Sequence, residues 1–314
     1  MVGSTSPVGG IQPASRIVSV PVTDVHLVGA NAIHPGHEPR RLLPRLAQDR
    51  LASIGIVVIA LLMLIALAAP FLAPADPAAI DAVNRLAPPS LSHPLGTDNL
   101  GRDMLSRLIF GSRWSLGAVA IATLLILSIG VTVGTIAGYY GGVIDEILMR
   151  VVDVLLAFPS LLLALAIAGT LGPGITSVIA GLASVWWASY ARIVRGMVLS
   201  IREREYILAA RSLGAGEVRI ILRHVLPNIL PPVVILATVE MGELILAVAG
   251  LGFLGLGAQS PTPEWGAMVS DGRSFLLSAP QLMIYPGLAI CATVFAFNLM
   301  GDGLRDMLDP RLAR

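Results

Sequence analysis

Glu240 and Glu243 are the residues whose type and place first suggest chemistry, because both lie inside an uninterrupted apolar run, residues 229–251. Spaced i and i+3, they share one helical face. A carboxylate at bilayer depth costs about 2.5–3.5 kcal/mol on insertion scales, so neither belongs against lipid. Two readings stay open. The pair lines a path and attracts the cationic part of a cargo: an amine, a basic side chain or a chelated metal. Alternatively the carboxylates are structural, paired with arginines of this or a neighbouring subunit, or one of them is protonated. Missing residue types narrow the rest. All 21 basic residues are arginine, which excludes a Walker-type phosphate loop and Schiff-base chemistry. His26, His34 and His37 precede the apolar segments, His93 lies between the first two, and His224 lies in a polar loop. No crossing therefore holds a histidine metal site. Ser177, Ser184 and Ser189 also lack the histidine that an intramembrane serine protease needs. Cys291, the single cysteine, cannot form an intrachain disulfide or a thiolate cluster, and its apolar run predicts burial. Asp302 and Asp306 beside Arg305 read as charged surface, as do Asp145, Glu146 and Asp153 around Arg150.

The elements that must position these groups are membrane helices. The chain has 314 residues, 55% hydrophobic and only 13% charged, against about a quarter charged in soluble domains. A formal charge of +1 offers no electrostatic case for nucleic acid. Six crossings are expected. The first spans residues 51–69 and ends at Pro70, and the second spans 116–139. Gly172-Pro173-Gly174 then divides a long uncharged stretch into residues 154–171 and 175–191. The fifth and sixth span residues 229–251 and 283–299. With the N-terminus inside, sixteen arginines fall on the inner side and five on the outer, which predicts that both termini are cytoplasmic. Residues 1–39 are expected to be a poorly ordered cytoplasmic tail, and residues 40–314 the membrane domain. Gly130, Gly134, Gly138 and Gly142 recur every fourth residue and predict a close-packing seam, within the subunit or with a partner.

Between the fourth and fifth crossings lies a polar, arginine-rich island, EYILAARSLGAGEVRIILRHVLP, residues 205–227. Gly214 and Gly216 flank Ala215, the pattern of a helix that stops and reverses. Val218, Ile221, Leu222 and Val225 then form one apolar stripe, with Arg219 and Arg223 on another face. Such a helical hairpin suits insertion into a groove on a soluble partner.

The island resembles the cytoplasmic signature loop of permease subunits of ATP-binding-cassette importers: paired alanines, a glycine four residues on, and a closing Leu-Pro. Those positions are Ala209, Ala210, Gly214, Leu226 and Pro227, with Leu213, Ala215 and Gly216 at the apex. The position before the alanines, often acidic in the family, is Leu208. Three more stretches resemble the dipeptide, oligopeptide and nickel branch: residues 93–116, 252–273 and 298–310. Together these cover the chain from about Leu42 to its end.

The resemblance implies an all-α permease of the type I importer fold with six transmembrane helices, residues 192–228 being the coupling loop. It implies a cell membrane location in a bacterium or archaeon. It also implies a homologous second permease, two ATPase subunits that hold ATP and Mg, and an extracytoplasmic binding protein docking on residues 76–113 and 257–273. The chain itself is expected to hold no cofactor and to do no covalent chemistry. Di- or oligopeptides are the expected cargo, with nickel or a metal chelate as the alternative; an autonomous secondary transporter would leave the loop unexplained.

Taken alone, the 93–116 segment reads as an interfacial amphipathic helix with Leu105, Leu108 and Ile109 on its apolar face, Arg102, Asp103, Arg107 and Arg113 on its polar face and Trp114 as anchor. Pro261 and Pro263 exclude regular helix there, and Trp265 is expected at the outer interface.

Overall fold

A computed structural model describes residues 50–308, with side chains as far as residue 304; the expectations for the 1–39 tail and for Arg305 and Asp306 lie outside what it describes. Among the described residues every regular element is helical, apart from one isolated bridge between Thr97 and Asp103, and the segments 73–103 and 254–264 are irregular. Five helices are long and apolar enough to cross a membrane, or six if one bent pair counts as a span.

Helix α1 (Arg50–Leu67) is followed by the short α2 (Ala69–Leu72), which has Pro70 in its first turn. Helix α3 (Met104–Tyr140) is a single 37-residue rod, about 55 Å long at 1.5 Å per residue. The separate interfacial helix expected within 93–116 is thus, from Met104 on, the first part of the second crossing, since no breaker interrupts it and Asp103 caps it by accepting from the Ser106 amide. The rod stops at Gly141, whose φ of +68° reverses the chain.

The third crossing differs from expectation. Helix α4 (Gly142–Leu156) meets α5 (Ser160–Leu171) at a bend of 88°, so residues 154–171 are not one helix. Pro159 is the cause: it lacks an amide donor and biases Phe158 away from helical backbone. Asp145 and Asp153 of α4 pair with Arg195 and Arg192 of α6 (Ile175–Arg202), the former at 2.6 Å. These pairs let α6 run eleven residues beyond its expected end at 191.

After the polar island come α7 (Glu205–Ser212), α8 (Glu217–Ile220), a π-helical turn (Ile221–Val225) and α9 (Leu226–Phe253). Then follow α10 (Trp265–Gly272) and α11 (Gln281–Leu308).

Small residues let the helices approach. A Cβ at Gly130, Gly134 or Gly138 of α3 would lie 2.6 Å from Tyr190 Cβ, 2.5 Å from the Ala191 carbonyl and 2.8 Å from the Arg195 carbonyl of α6. Gly142 has left α3 and faces open space. Ile229, Val233, Leu244, Ile245 and Leu251 of α9 complete the core against α3 and α6. Cys291, expected inside, is exposed on α11.

Candidate functional site: the 205–227 loop, the carboxylate helix and the opposite cap

The loop is built by local rules. Helix α7 ends in a Schellman motif: the Ala215 amide donates to the Ala210 carbonyl at 3.1 Å and the Gly214 amide to the Arg211 carbonyl at 3.0 Å. Gly214 takes the left-handed position, φ +79°, that a Cβ disfavours. Pro227, which cannot donate to the Arg223 carbonyl, follows a π turn whose wider spacing accommodates its ring. That widened turn also breaks the expected register of the apolar stripe. Val225 is buried, Ile221 half-buried, and Val218 and Leu222 are exposed, while Ile220, outside the stripe, is buried. Ile207, Ile220 and Val225 thus anchor the loop in the core. Leu208, Leu213, Val218 and Leu222 project outward, Leu213 with 88% of its surface exposed. Arg219 and Arg223 are exposed as well.

Two other arginines tie this region to the end of α3. Arg202 Nη1 donates to the Gly138 carbonyl at 2.9 Å. Arg211 lies over the Tyr139 ring, 5.8 Å from its centroid, and its Nη2 donates to the Tyr139 hydroxyl at 3.4 Å. Neither contact was apparent from sequence, because each joins residues more than sixty apart.

The two carboxylates of α9 diverge. Glu240 is half-buried and faces Tyr190 of α6, with its Oε2 enclosed and unpartnered among the described residues. Glu243 is exposed on the subunit surface. Among the described residues neither makes an ion pair with an arginine, and no cluster of three or more His, Cys, Asp or Glu offers a metal site.

At the other end of α3, Arg113 is exposed as expected, but the other three residues expected on a polar face are instead buried. Arg102, Asp103 and Arg107 expose only 2–3% of their surface. Arg102 donates to Asp98 at 2.6 Å and to Ser260 at 3.2 Å, and Arg102 and Arg107 both approach Asp271, at 3.7 and 3.6 Å. Burial raises the Asp271 carboxyl above its ordinary range, and the two arginines pull it back. Glu264 caps α10 through the Gly266 and Ala267 amides, each at 2.8 Å, and accepts from the Ser115 hydroxyl at 3.0 Å. Burial raises its carboxyl and those three donors oppose the shift. Trp265, expected at an interface, is 1% exposed and donates to the Leu108 carbonyl at 3.1 Å. Trp114, by contrast, is exposed.

Residues 130–314, which include the loop and both carboxylates, match the family described as the binding-protein-dependent transport system inner membrane component. The chain belongs to that family. Residues 40–89 of this permease match a second description, the N-terminal TM domain of oligopeptide transport permease C. The permease is 47% identical over 259 residues to the nickel transport system permease protein NikC of Escherichia coli strain K12, covering 82% of this chain and 94% of that one. It is 45% identical over 273 residues to the dipeptide transport system permease protein DppC of Alkalihalophilus pseudofirmus, covering 87% and 90%. It is 44% identical over 274 residues to the glutathione transport system permease protein GsiD of Pectobacterium atrosepticum, covering 87% and 91%. In fold it is similar to the inward-facing MetNI methionine ABC transporter, with a TM-score of 0.50 at 19% identity over 65% of this chain and 97% of that one. The permease therefore has the expected type I importer fold and is an inner-membrane component of an ATP-binding-cassette importer.

Proposed function

We propose that this permease forms half of a translocation path for di- or oligopeptides and receives its drive through the 205–227 loop. The observation that carries the coupling role is the loop's two-sided construction. Ile207, Ile220 and Val225 hold it in the hydrophobic core of the helical domain, while Leu208, Leu213, Val218 and Leu222 project from a glycine-stopped apex. An exposed apolar ridge flanked by arginines is costly to leave in water and fits a groove on a partner. Ala209, Ala210, Leu213, Gly214, Ala215, Gly216, Leu226 and Pro227 are the residues assigned to it.

The partners are a homologous second permease, two ATPase subunits that hold ATP and Mg, and an external binding protein. This chain has no ATPase site of its own. Both termini and the loop face the cytoplasm, as the arginine bias requires, so the capped end of α3 faces outward. Glu243 lines the path and attracts a cationic group, with Glu240 one turn away against Tyr190, as the absence of an arginine partner for either among the described residues supports.

For cargo, the dipeptide and glutathione relatives support a peptide, and the 47% identity to NikC supports nickel as the second reading. Uptake of labelled dipeptides and labelled nickel, offered in parallel to a deletion strain with and without the restored gene, separates the two. Gene-dependent nickel uptake without peptide uptake would overturn the peptide assignment.

A further inference from the structure

Helix α3 is held at both ends by side chains from elsewhere in the fold. At its carbonyl end the last turn has backbone acceptors with no helical partner. Arg202 fills one at Gly138 and lies 3.5 Å from the Tyr139 carbonyl, and Arg211 of the loop stacks on Tyr139. Two cations at a helix C-terminus also oppose its dipole favourably. The Arg211 contact is made beside open space. It borders a cavity of about 530 Å³, lined in part by Tyr139, Arg202, Glu203, Arg211 and Glu217. At the opposite end the first three turns are gripped rigidly. Trp265 bonds to Leu108 and would clash with a Cβ at Gly111 at 2.6 Å, Glu264 holds Ser115, and Asp98 and Asp271 hold Arg107. Between these ends α3 is one unbroken helix packed along its glycine seam against α6.

We propose that Arg202 and Arg211 are positioning residues for coupling: Arg211 latches the loop, and Arg202 the end of α6 that leads into it, to the carbonyl end of α3, which makes α3 the strut that carries the loop's movement to the opposite face. A displacement of the loop pulls on Tyr139 and reaches the buried cap about 36–48 Å away, at 1.5 Å per residue, with no break in the helix between. The inference rests on the loop being the site of coupling.

The test uses the assembled complex in proteoliposomes with its binding protein, supplied in excess with alanyl-alanine in one series and nickel chloride in another. The readout is the ratio of ATP hydrolysis with and without the loaded binding protein, together with copurification of the ATPase subunits. Tyr139→Leu and Arg211→Gln each lower that ratio at least about fivefold, the lower edge of ordinary coupling strengths, while the ATPase subunits still copurify. Arg211→Lys keeps a cation over the ring and retains most of the ratio. An unchanged ratio in Tyr139→Leu and Arg211→Gln overturns the strut, as does loss of the ATPase subunits from both. Gly214→Trp separates the layers. If it uncouples while Tyr139→Leu does not, the strut alone falls; if it too couples normally, the loop reading falls with it.

Discussion

The α3–α6 seam makes a prediction of opposite sign for one substitution at two places on the same helix. At Gly134 an added Cβ would sit 2.5 Å from the Ala191 carbonyl and 2.8 Å from Val194 Cβ; at Gly117 it would meet nothing within 4 Å. An alanine gains about 1 kcal/mol over glycine in a helix interior at either position. At Gly134 the backbone oxygen cannot rotate away, so α6 must move outward, at the roughly 1–3 kcal/mol typical of overpacking. The propensity gain cancels between the two variants, leaving Gly134→Ala less stable than Gly117→Ala by about 1–3 kcal/mol. Using the about 2–4 °C per kcal/mol of soluble chains of similar size, the melting points should differ by several degrees. The assay is thermal unfolding of the detergent-purified complex, followed by tryptophan fluorescence, for wild type and both variants. Equal melting points, or a Gly134→Ala variant as stable as Gly117→Ala, would refute the claim that the glycine register exists for helix approach.

Three other consequences can be measured. Glu264→Ala strips the acceptor from two amides and a hydroxyl and should cost about 3 kcal/mol, given about 1–3 for each buried donor left unmet and partial repair by water; limited proteolysis of the 254–280 segment is the readout, and unchanged protection would count against the cap. Asp271 has its carboxyl raised by burial, so the folded state holds its proton more tightly than the unfolded chain. Its contribution is then present below the ordinary aspartate range and lost as pH rises through the elevated value. Thermal stability should fall over that window in the wild type, and the slope should flatten in Asp271→Asn. Glu240→Gln with Glu243→Gln should slow uptake while leaving the assembly intact and ATP hydrolysis still dependent on the binding protein; a complex that fails to assemble would make the carboxylates structural.

What could be read from the sequence was what is encoded locally. The helix stop at Gly214 depends on residues 210–215 alone, and the paired alanines, the glycine and the Leu-Pro therefore announced both the loop and its shape. Apolar length located the crossings for the same reason. Errors arose where residues distant in sequence decide the outcome. Arg102 and Arg107 are read as solvated by any local rule, because charged residues are seldom fully buried unless paired. Their partners include Ser260 and Asp271, more than 150 residues away. Trp265 reverses in the same manner, since Leu108 and Ser115 draw it inward. The bend at Pro159 was a local signal that was missed, because an unbroken lack of charge over 154–171 outweighed one proline within it.

Glu243 shows how the two kinds of information combine. Its exposure on an isolated subunit, at a level where an exposed carboxylate would cost about 2.5–3.5 kcal/mol in lipid, means that the face of α9 it occupies does not meet hydrocarbon in the assembled importer. The neighbouring Glu240 turns toward Tyr190 instead, so one turn of helix presents one carboxylate to the subunit's interior and one to whatever lies beyond. Water along a path, a cation on a facing subunit or a proton on the carboxylate would meet the need, and the first two agree with the proposal that this face of α9 looks toward a path. α1 shows the contrast: Leu51, Val57, Leu61 and Leu64 are exposed and only 17% of its most apolar window is buried, with no charge between Arg50 and its end at Leu67. A helix that presents only aliphatic side chains satisfies the bilayer as it stands, whereas α9 does not. The chemistry of those two surfaces, more than helix order, supports the proposal that α9 rather than α1 faces the path.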